Sequence, residues 1–93
     1  MNISGRSVLV TGAAGGLGAC FVSFLLKLDA KNVIAIDIDY EGLDRLAADI
    51  ADPRLITKVL DIGDENAVLG LFRELDEQSI YPKILINNAG MLC

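Results

Sequence analysis

A glycine-rich segment near the start of the chain has the residue types and spacing that could hold a phosphate. It lies between a short β-rich run and a helical pattern, and it reads Thr11-Gly12-Ala13-Ala14-Gly15-Gly16-Leu17-Gly18. The missing side chains of Gly12 and Gly16 allow a tight turn and a close approach of the backbone to a pyrophosphate, and Gly18 allows the helix to pack against the strand. A helix N-terminus also attracts anions through its free N–H groups and its partial positive charge. The segment predicts a pyrophosphate site, with an ordinary glycine-rich turn as the alternative.

Asp37 follows the second apolar run and has the chemistry to bind a ribose. A carboxylate about 20 residues beyond such a glycine segment can accept hydrogen bonds from both ribose hydroxyls of adenosine. The same charge would repel a 2′-phosphate, and none of the neighbouring residues Gly15, Ile38 and Asp39 is basic. The sequence therefore favours NAD over NADP. A solvated acid or a helix cap is the alternative role, and it suits Asp39 better than Asp37.

Two further apolar runs end in residues that could contact adenosine. Asp61 could receive the exocyclic amine of adenine while Ile62 covers the face of the ring, although an Asp before a helix is common. The fourth run ends in Asn87-Asn88-Ala89-Gly90, whose small residues would let the adenosine ribose lie against the backbone. A plain turn explains these Asn and Gly residues equally well. Open α/β sheets bind ligands outside the carboxyl ends of their strands, which is where all four groups of residues are expected.

Apolar runs alternate with helical patterns along the whole chain. Strands are predicted over 7–11, 32–37, 55–60 and 83–87. One helix is predicted over 16–28, a second around 43–50, and a third after Asp64, whose carboxylate can cap it. The connections are too long for hairpins, so the strands are expected to be parallel with right-handed crossovers. The predicted fold class is α/β, a Rossmann-type doubly wound parallel sheet represented by its first four strands and three helices.

The helices are predicted from the spacing of their apolar residues. In the first helix the residues at helical spacing are Leu17, Phe21, Phe24, Leu25 and Leu28. In the third helix the apolar residues on one face are Val68, Leu71, Phe72 and Leu75.

The motifs together resemble the short-chain dehydrogenase/reductase family. The glycine segment, Asp37, Asp61-Ile62 and Asn87-Asn88-Ala89-Gly90 have the order and spacing of that family, and the resemblance extends from Arg6 to Gly90. A second glycine spacing, formed by Gly12, Gly15 and Gly18, resembles the extended branch of the family, which includes nucleotide-sugar epimerases. The Asn-Asn-Ala-Gly run is similar to the compact, single-domain branch and favours that branch.

This resemblance implies a role for each motif. It implies that the loop 12–18 holds the pyrophosphate, Asp37 the adenosine ribose, and Asp61 with Ile62 the adenine. Asn88, Ala89 and Gly90 would lie on the ribose side of the cofactor. The parent protein would be an NAD-dependent oxidoreductase that transfers a hydride between NAD(H) and a small-molecule alcohol or carbonyl substrate, and a homo-oligomer when full length. Residues 1–93 would be the N-terminal NAD-binding part of a single Rossmann domain.

The chain contains none of the residues that perform the chemistry of this family. Members use a Ser and a Tyr-x-x-x-Lys pair, and the spacing of four places Tyr and Lys on one helical face. Tyr81-Pro82-Lys83 has a different spacing, and Pro82 is incompatible with a helix interior. We therefore expect a truncated chain that has no catalytic residue and is inactive alone. A non-catalytic nucleotide-binding or interaction module is one alternative, and a degenerate product without function is another.

The composition argues against several other classes of function. The net charge is −5, with 8 basic and 13 acidic residues and no run of basic residues, so neither nucleic acid nor an anionic membrane is an expected partner. The chain has no His, and Cys20 and Cys93 have no metal-binding spacing, so no metal site is expected. No apolar run approaches the ~20 residues of a membrane span. The N-terminus lacks a secretory pattern, and the expected location is the cytoplasm.

Overall fold

The chain forms four strands and three helices that alternate strictly. In chain order they are β1 (Ser7–Thr11), α1 (Gly16–Lys27), β2 (Asn32–Asp37), α2 (Tyr40–Ile50), β3 (Leu55–Val59), α3 (Glu65–Glu77) and β4 (Pro82–Asn87). The computed structural model describes residues 3–87, with the backbone alone for Asn87. The predicted strands agree with these bounds to within about one residue, which is the usual uncertainty of an element end.

The four strands pair in parallel in one sheet of order β3-β2-β1-β4. The chain moves from β1 outward to β2 and β3, and then crosses to the other side of β1 to form β4. This reversal next to β1 is a topological switch point, where open α/β sheets bind their ligands at the carboxyl ends of the strands. The predicted fold class, a Rossmann-type doubly wound parallel sheet, is confirmed.

Helices cover both faces of the sheet, and each face has its own core. Side chains alternate across a strand, so Val8 and Val10 of β1 lie in one core and Leu9 lies in the other. The first core includes the buried residues of α1 and α2: Val22, Leu25, Leu26, Leu43 and Leu46. The second core includes Leu71 and Leu75 of α3, which pack with Ile34 and Ile36 of β2. The central strands are therefore buried on both faces and read as continuous apolar runs.

The predicted first helix is confirmed as α1, but only some of its apolar residues are buried. The helix buries Gly18, Val22, Leu25 and Leu26, whereas Phe24 is 57% exposed and Leu28 is 40% exposed. Lys27 is the one charged residue in the helix. Apolar residues therefore occur on all sides of the helix, and their spacing does not define a single buried face. Its orientation is set by the close packing of Gly18 against Ala13.

The helix predicted after Asp64 is confirmed as α3, and two of its four apolar residues on the predicted face are buried. Leu71 and Leu75 are buried, but Phe72 is 46% exposed because it lies at the border of the packed face. Asp64 caps this helix as predicted, since its carboxylate accepts a hydrogen bond of 3.2 Å from the Ala67 N–H.

The packing of α3 gives a direct test of the fold. Leu75 is 1% exposed and Leu69, on the same helix, is 60% exposed. We expect Leu75→Ala to lower the free energy of unfolding by about 2–5 kcal/mol, because it removes buried methyl groups and leaves a cavity. Leu69→Ala should change that free energy by no more than about 0.5 kcal/mol. Urea unfolding followed by circular dichroism measures both, and equal effects of the two substitutions would contradict the packing described here.

Candidate functional site

The carboxyl ends of β1, β2 and β3 meet at a cavity of about 220 Å³. Its lining residues are Thr11, Gly12, Ile36, Asp37, Ile38, Leu60, Asp61 and Ile62. Five of them were predicted from the sequence as cofactor contacts: Thr11, Gly12, Asp37, Asp61 and Ile62. The parallel register brings them together, because corresponding ends of neighbouring parallel strands lie at the same edge of the sheet. Three strand ends that are distant in sequence thus form one surface.

The loop after β1 is folded against the end of β2. Gly12 has φ +65°, a left-handed conformation that glycine adopts without steric cost. The Ala13 N–H donates a hydrogen bond of 3.1 Å to the carbonyl of Ile36. The Ala14 N–H donates one of 3.0 Å to Oδ2 of Asp37. These two hydrogen bonds fix the position of the loop relative to β2.

The Asp37 carboxylate accepts hydrogen bonds within the protein and can still accept others from a ligand. Its Oδ2 accepts from Ala14, and its Oδ1 accepts from the Asp39 N–H at 3.0 Å. An ionised carboxylate has about four lone-pair sites, so each oxygen keeps one further acceptor site. Asp37 is half-buried and lines the cavity. A carboxylate in this state can accept two hydrogen bonds from vicinal hydroxyl groups.

Helix α1 has no acidic residue at its N-cap or in its first turn, whereas the other two helices have acidic residues at both positions. The N-caps of α2 and α3 are Asp39 and Asp64, and Glu41 and Glu65 stand in their first turns. The N-cap of α1 is Gly15, which has no side chain to accept a hydrogen bond, and its first turn contains no acid. The first N–H groups of any helix lack partners within the helix. The start of α1 therefore offers its N–H groups and positive dipole end to an external anion.

The glycines of the loop serve different purposes. A Cβ at Gly18 would overlap the backbone carbonyl of Ala13, so this glycine permits the close packing of α1 on the end of β1. A Cβ at Gly16 would meet no atom within 4 Å. Gly16 is exposed and leaves the space in front of the helix N-terminus open. Fold and ligand access thus depend on separate glycines.

Gly42 is a part of the site that the sequence reasoning missed. A Cβ at this position in α2 would lie 2.6 Å from Oδ2 of Asp39 and 2.7 Å from the Cβ of Ala14. Its N–H donates to the Asp39 cap at 3.1 Å, which confirms the cap role expected for Asp39. The Asp-x-x-Gly spacing indicates the cap. The contact with Ala14 is tertiary, and no local pattern predicts it.

Asp61 and Ile62 follow β3 and border the cavity from the other side. The Oδ1 of Asp61 accepts a hydrogen bond of 2.8 Å from the Gly63 N–H, which orders the turn before α3. Ile62 is 52% exposed although its side chain is aliphatic. An exposed aliphatic side chain can cover one face of a flat ring, and the neighbouring carboxylate can accept a hydrogen bond from a donor at the edge of that ring.

The remaining predicted residues divide between a second groove and the part of the chain that is not described. Ala14, Gly15 and Gly16 line a groove of about 370 Å³ between α1 and α2, next to the cavity. Leu17 is half-buried in the first turn of α1. Asn88, Ala89 and Gly90 lie outside the described residues, and their predicted contact with the cofactor stays a prediction.

Comparison with known proteins agrees with this geometry. Residues 6–93 match the short chain dehydrogenase family. The chain belongs to this family. The resemblance expected from the four motifs is confirmed.

Three similar proteins show what the chain is related to. The 2,3-dihydroxy-2,3-dihydro-p-cumate dehydrogenase of Pseudomonas putida is 39% identical over 94 residues, which are 97% of this chain and 36% of that protein. A Burkholderia cenocepacia short chain dehydrogenase solved with NADP has a TM-score of 0.76 and 32% identity, and the match covers 98% of this chain and 35% of that one. A Leptospira borgpetersenii short chain dehydrogenase solved with bound NAD+ has a TM-score of 0.74 and 28% identity, with coverages of 99% and 34%. The chain thus spans about a third of the length of these relatives.

The described part of the chain has neither a membrane-spanning helix nor a cluster of metal ligands. None of its helices is long and apolar enough to cross a membrane. Residues 3–87 contain no cluster of three or more His, Cys, Asp or Glu side chains that could bind a metal ion.

The two glycines at the start of α1 allow a matched test of the loop. We expect Gly18→Ala to lower the urea midpoint of unfolding clearly, because its Cβ would overlap the Ala13 backbone, which cannot move without displacing the loop. Gly16→Ala should leave that midpoint unchanged or slightly raised, because the added methyl group has open space and alanine restricts the unfolded chain. Equal destabilisation by both substitutions would contradict the close packing of Gly18 against Ala13.

Proposed function

We propose that this chain supplies the adenosine- and pyrophosphate-binding part of an NAD-dependent oxidoreductase. The observation that carries the proposal is the position of Asp37, whose carboxylate lines the cavity and retains an acceptor site on each oxygen. When bound, the cofactor would supply hydride transfer to or from a small-molecule alcohol or carbonyl substrate. The membership of the short chain dehydrogenase family supports this reaction class.

The adenosine and pyrophosphate parts of the dinucleotide each have a matching group in this proposal. The ribose of adenosine bonds to Asp37, and the adenine lies between Asp61 and Ile62. The pyrophosphate lies against the 12–18 loop and the N-terminus of α1, where Gly16 leaves space. Thr11 and Leu17 border these positions, and Asn88, Ala89 and Gly90 are assigned to the ribose side on the family pattern alone.

The charges around the cavity favour NAD over NADP. Asp37 and Asp61 are the ionisable residues among its described lining, so a 2′-phosphate next to the ribose would face carboxylates alone. Arg45 lines the neighbouring groove, but Asp49 lines it too. Similar proteins have been solved with either cofactor, so Asp37 is the residue on which we base the preference.

The proposal places the chemistry of the reaction outside the residues described here. No Tyr-x-x-x-Lys pair occurs in the 93 residues. Tyr81 and Lys83 line a pocket with Ser7, the first residue of β1, whereas the cavity lies at Thr11, the last residue of that strand. The position of Tyr81 and Lys83 at the opposite end of β1 from the cavity supports their exclusion from catalysis. A non-catalytic binding module would keep the same cofactor site, and turnover of a substrate would separate the two functions.

The remaining parts of the proposal come from the family and not from the geometry. Residues 1–93 are taken as the N-terminal part of a single cofactor-binding domain. A homo-oligomer and a cytoplasmic location belong to the same proposal.

Replacement of Asp37 tests the ribose contact and the cofactor preference together. We expect Asp37→Ser to weaken NAD binding by about tenfold to a hundredfold, because up to two charge-assisted hydrogen bonds are lost. The ratio of NAD to NADP affinity should fall further, because the repulsion of the 2′-phosphate is removed. Isothermal titration of the chain with each dinucleotide measures both affinities.

Two controls make this result specific. Asp44→Ser removes the same charge from an exposed position on α2 and should change neither affinity. Asp37→Asn preserves the shape of the side chain and one acceptor oxygen, so the Ala14 contact can persist. Loss of both affinities by the same factor would mean that Asp37 orders the loop without touching the ribose. Unchanged affinities would contradict the ribose role altogether.

A further inference from the structure

A second pocket lies at the amino end of the sheet, opposite the cofactor cavity. It has a volume of about 410 Å³ and is lined mainly by Arg6, Ser7, Lys31, Ser79, Tyr81 and Lys83. Ser7 and Thr11 are the two ends of β1, so the pocket and the cavity are separated by roughly 13 Å of strand. The two are separate sites on one sheet.

The charge of this pocket is opposite to that of the whole chain. The chain has 13 acidic and 8 basic residues, yet three basic residues and no acidic residue line the pocket. Asp29 and Asp76 contact the adjoining loops through backbone carbonyls, which accept from the Gly5 and Ser79 N–H groups.

The cations of the pocket are not used in ion pairs within the described residues. The ion pairs found there join Arg54 to Asp52 at 2.7 Å and Lys58 to Glu74 at 3.3 Å. Both pairs therefore involve basic residues outside the pocket. Arg6, Lys31 and Lys83 keep their charges available to a ligand.

A buried hydroxyl group in the same pocket makes no hydrogen bond to another residue in the described part of the chain. Ser7 is 5% exposed and lines the pocket. Within residues 3–87 its side chain makes no hydrogen bond, although buried polar side chains normally have one. A hydroxyl group in this position can donate to an oxygen of a bound ligand. This observation points to a ligand independently of the surrounding charges.

The register between β1 and β4 shifts next to Ser7, at the position of one of the cations. In the pairing of β1 with β4, Ser7 is opposite Pro82 and Val8 is opposite Ile84, so Lys83 is an extra residue in β4. An extra residue in one strand redirects the neighbouring side chains. Pro82 is the first residue of β4, a position where a missing N–H is tolerated.

We propose that this pocket binds the phosphate group of a small phosphorylated molecule. A phosphate dianion offers several acceptor oxygens, which the guanidinium of Arg6 can bind through two parallel N–H groups. Lys31 and Lys83 supply point charges, and the Ser7 hydroxyl donates to an oxygen at the base of the pocket. The volume exceeds that of a single phosphate, so the organic part of the molecule lies beside Ser79 and Tyr81.

An NMR titration of the ¹⁵N-labelled chain with inorganic phosphate and with pyrophosphate tests this proposal. At constant ionic strength, maintained with sodium chloride, we expect the amide signals of Gly5, Ser7 and Lys31 to shift and to saturate. A dissociation constant of about 1 mM or lower is expected. A phosphate ester of a small sugar should bind at least as tightly as inorganic phosphate.

Substitutions of exposed basic residues distinguish a specific phosphate site from attraction by the net charge of the protein. Lys31→Gln and Lys83→Gln should each weaken phosphate binding by about threefold to tenfold, since each removes a charge-assisted hydrogen bond. Arg73→Gln removes one positive charge from an exposed position on α3 outside the pocket and should leave the affinity unchanged. Ser7→Ala should weaken binding with no change in net charge. Lys31 and Lys83 are exposed, so their variants should fold even if Ser7→Ala does not.

Three outcomes would overturn the proposal. The first is a set of shifts that grow linearly with concentration and are reproduced by chloride alone. The second is an equal loss of affinity in Arg73→Gln and Lys31→Gln, which would reflect net charge only. The third is saturation confined to amides of the 12–18 loop, which would assign the anion to the cofactor site instead.

Discussion

The hydrogen bond between the Ala14 N–H and Oδ2 of Asp37, 3.0 Å long, joins the two halves of the proposed cofactor site. It connects the loop that follows β1 to the end of β2, next to the bond from the Ala13 N–H to the Ile36 carbonyl. The loop, the N-terminus of α1 and the cavity are therefore positioned by the same short stretch of backbone. We therefore expect a change in Asp37 to alter the loop proposed to hold the pyrophosphate as well as the proposed ribose contact.

The sheet presents different chemistry at its two ends. At the carboxyl end, small residues and the acids Asp37 and Asp61 border the cavity. At the amino end, three cations and the buried Ser7 hydroxyl border a larger pocket. Because parallel strands align their corresponding ends, residues far apart in sequence collect at one edge. This arrangement gives one sheet of four short strands two pockets that do not share a lining residue.

Features that depend on local pattern were predictable from the sequence. The strands are apolar runs bounded by turn residues, the Asp64 cap precedes its helix directly, and the glycine loop carries its own spacing. Features that depend on tertiary packing were not predictable. The apolar composition of α1 hides its buried face. Gly42 reveals its role only where it meets Ala14. The basic pocket was invisible for the same reason, because Arg6, Lys31 and Lys83 are widely separated along the chain.

A crystal structure of the chain with NAD tests the central claim most directly. The account predicts both adenosine ribose hydroxyl groups within about 3.2 Å of the Asp37 carboxylate oxygens, with the adenine beside Ile62 and the pyrophosphate at the first N–H groups of α1. The Ala14 contact to Asp37 should persist in that complex. A structure in which NAD binds elsewhere, or in which the ribose leaves the Asp37 oxygens untouched, would contradict it.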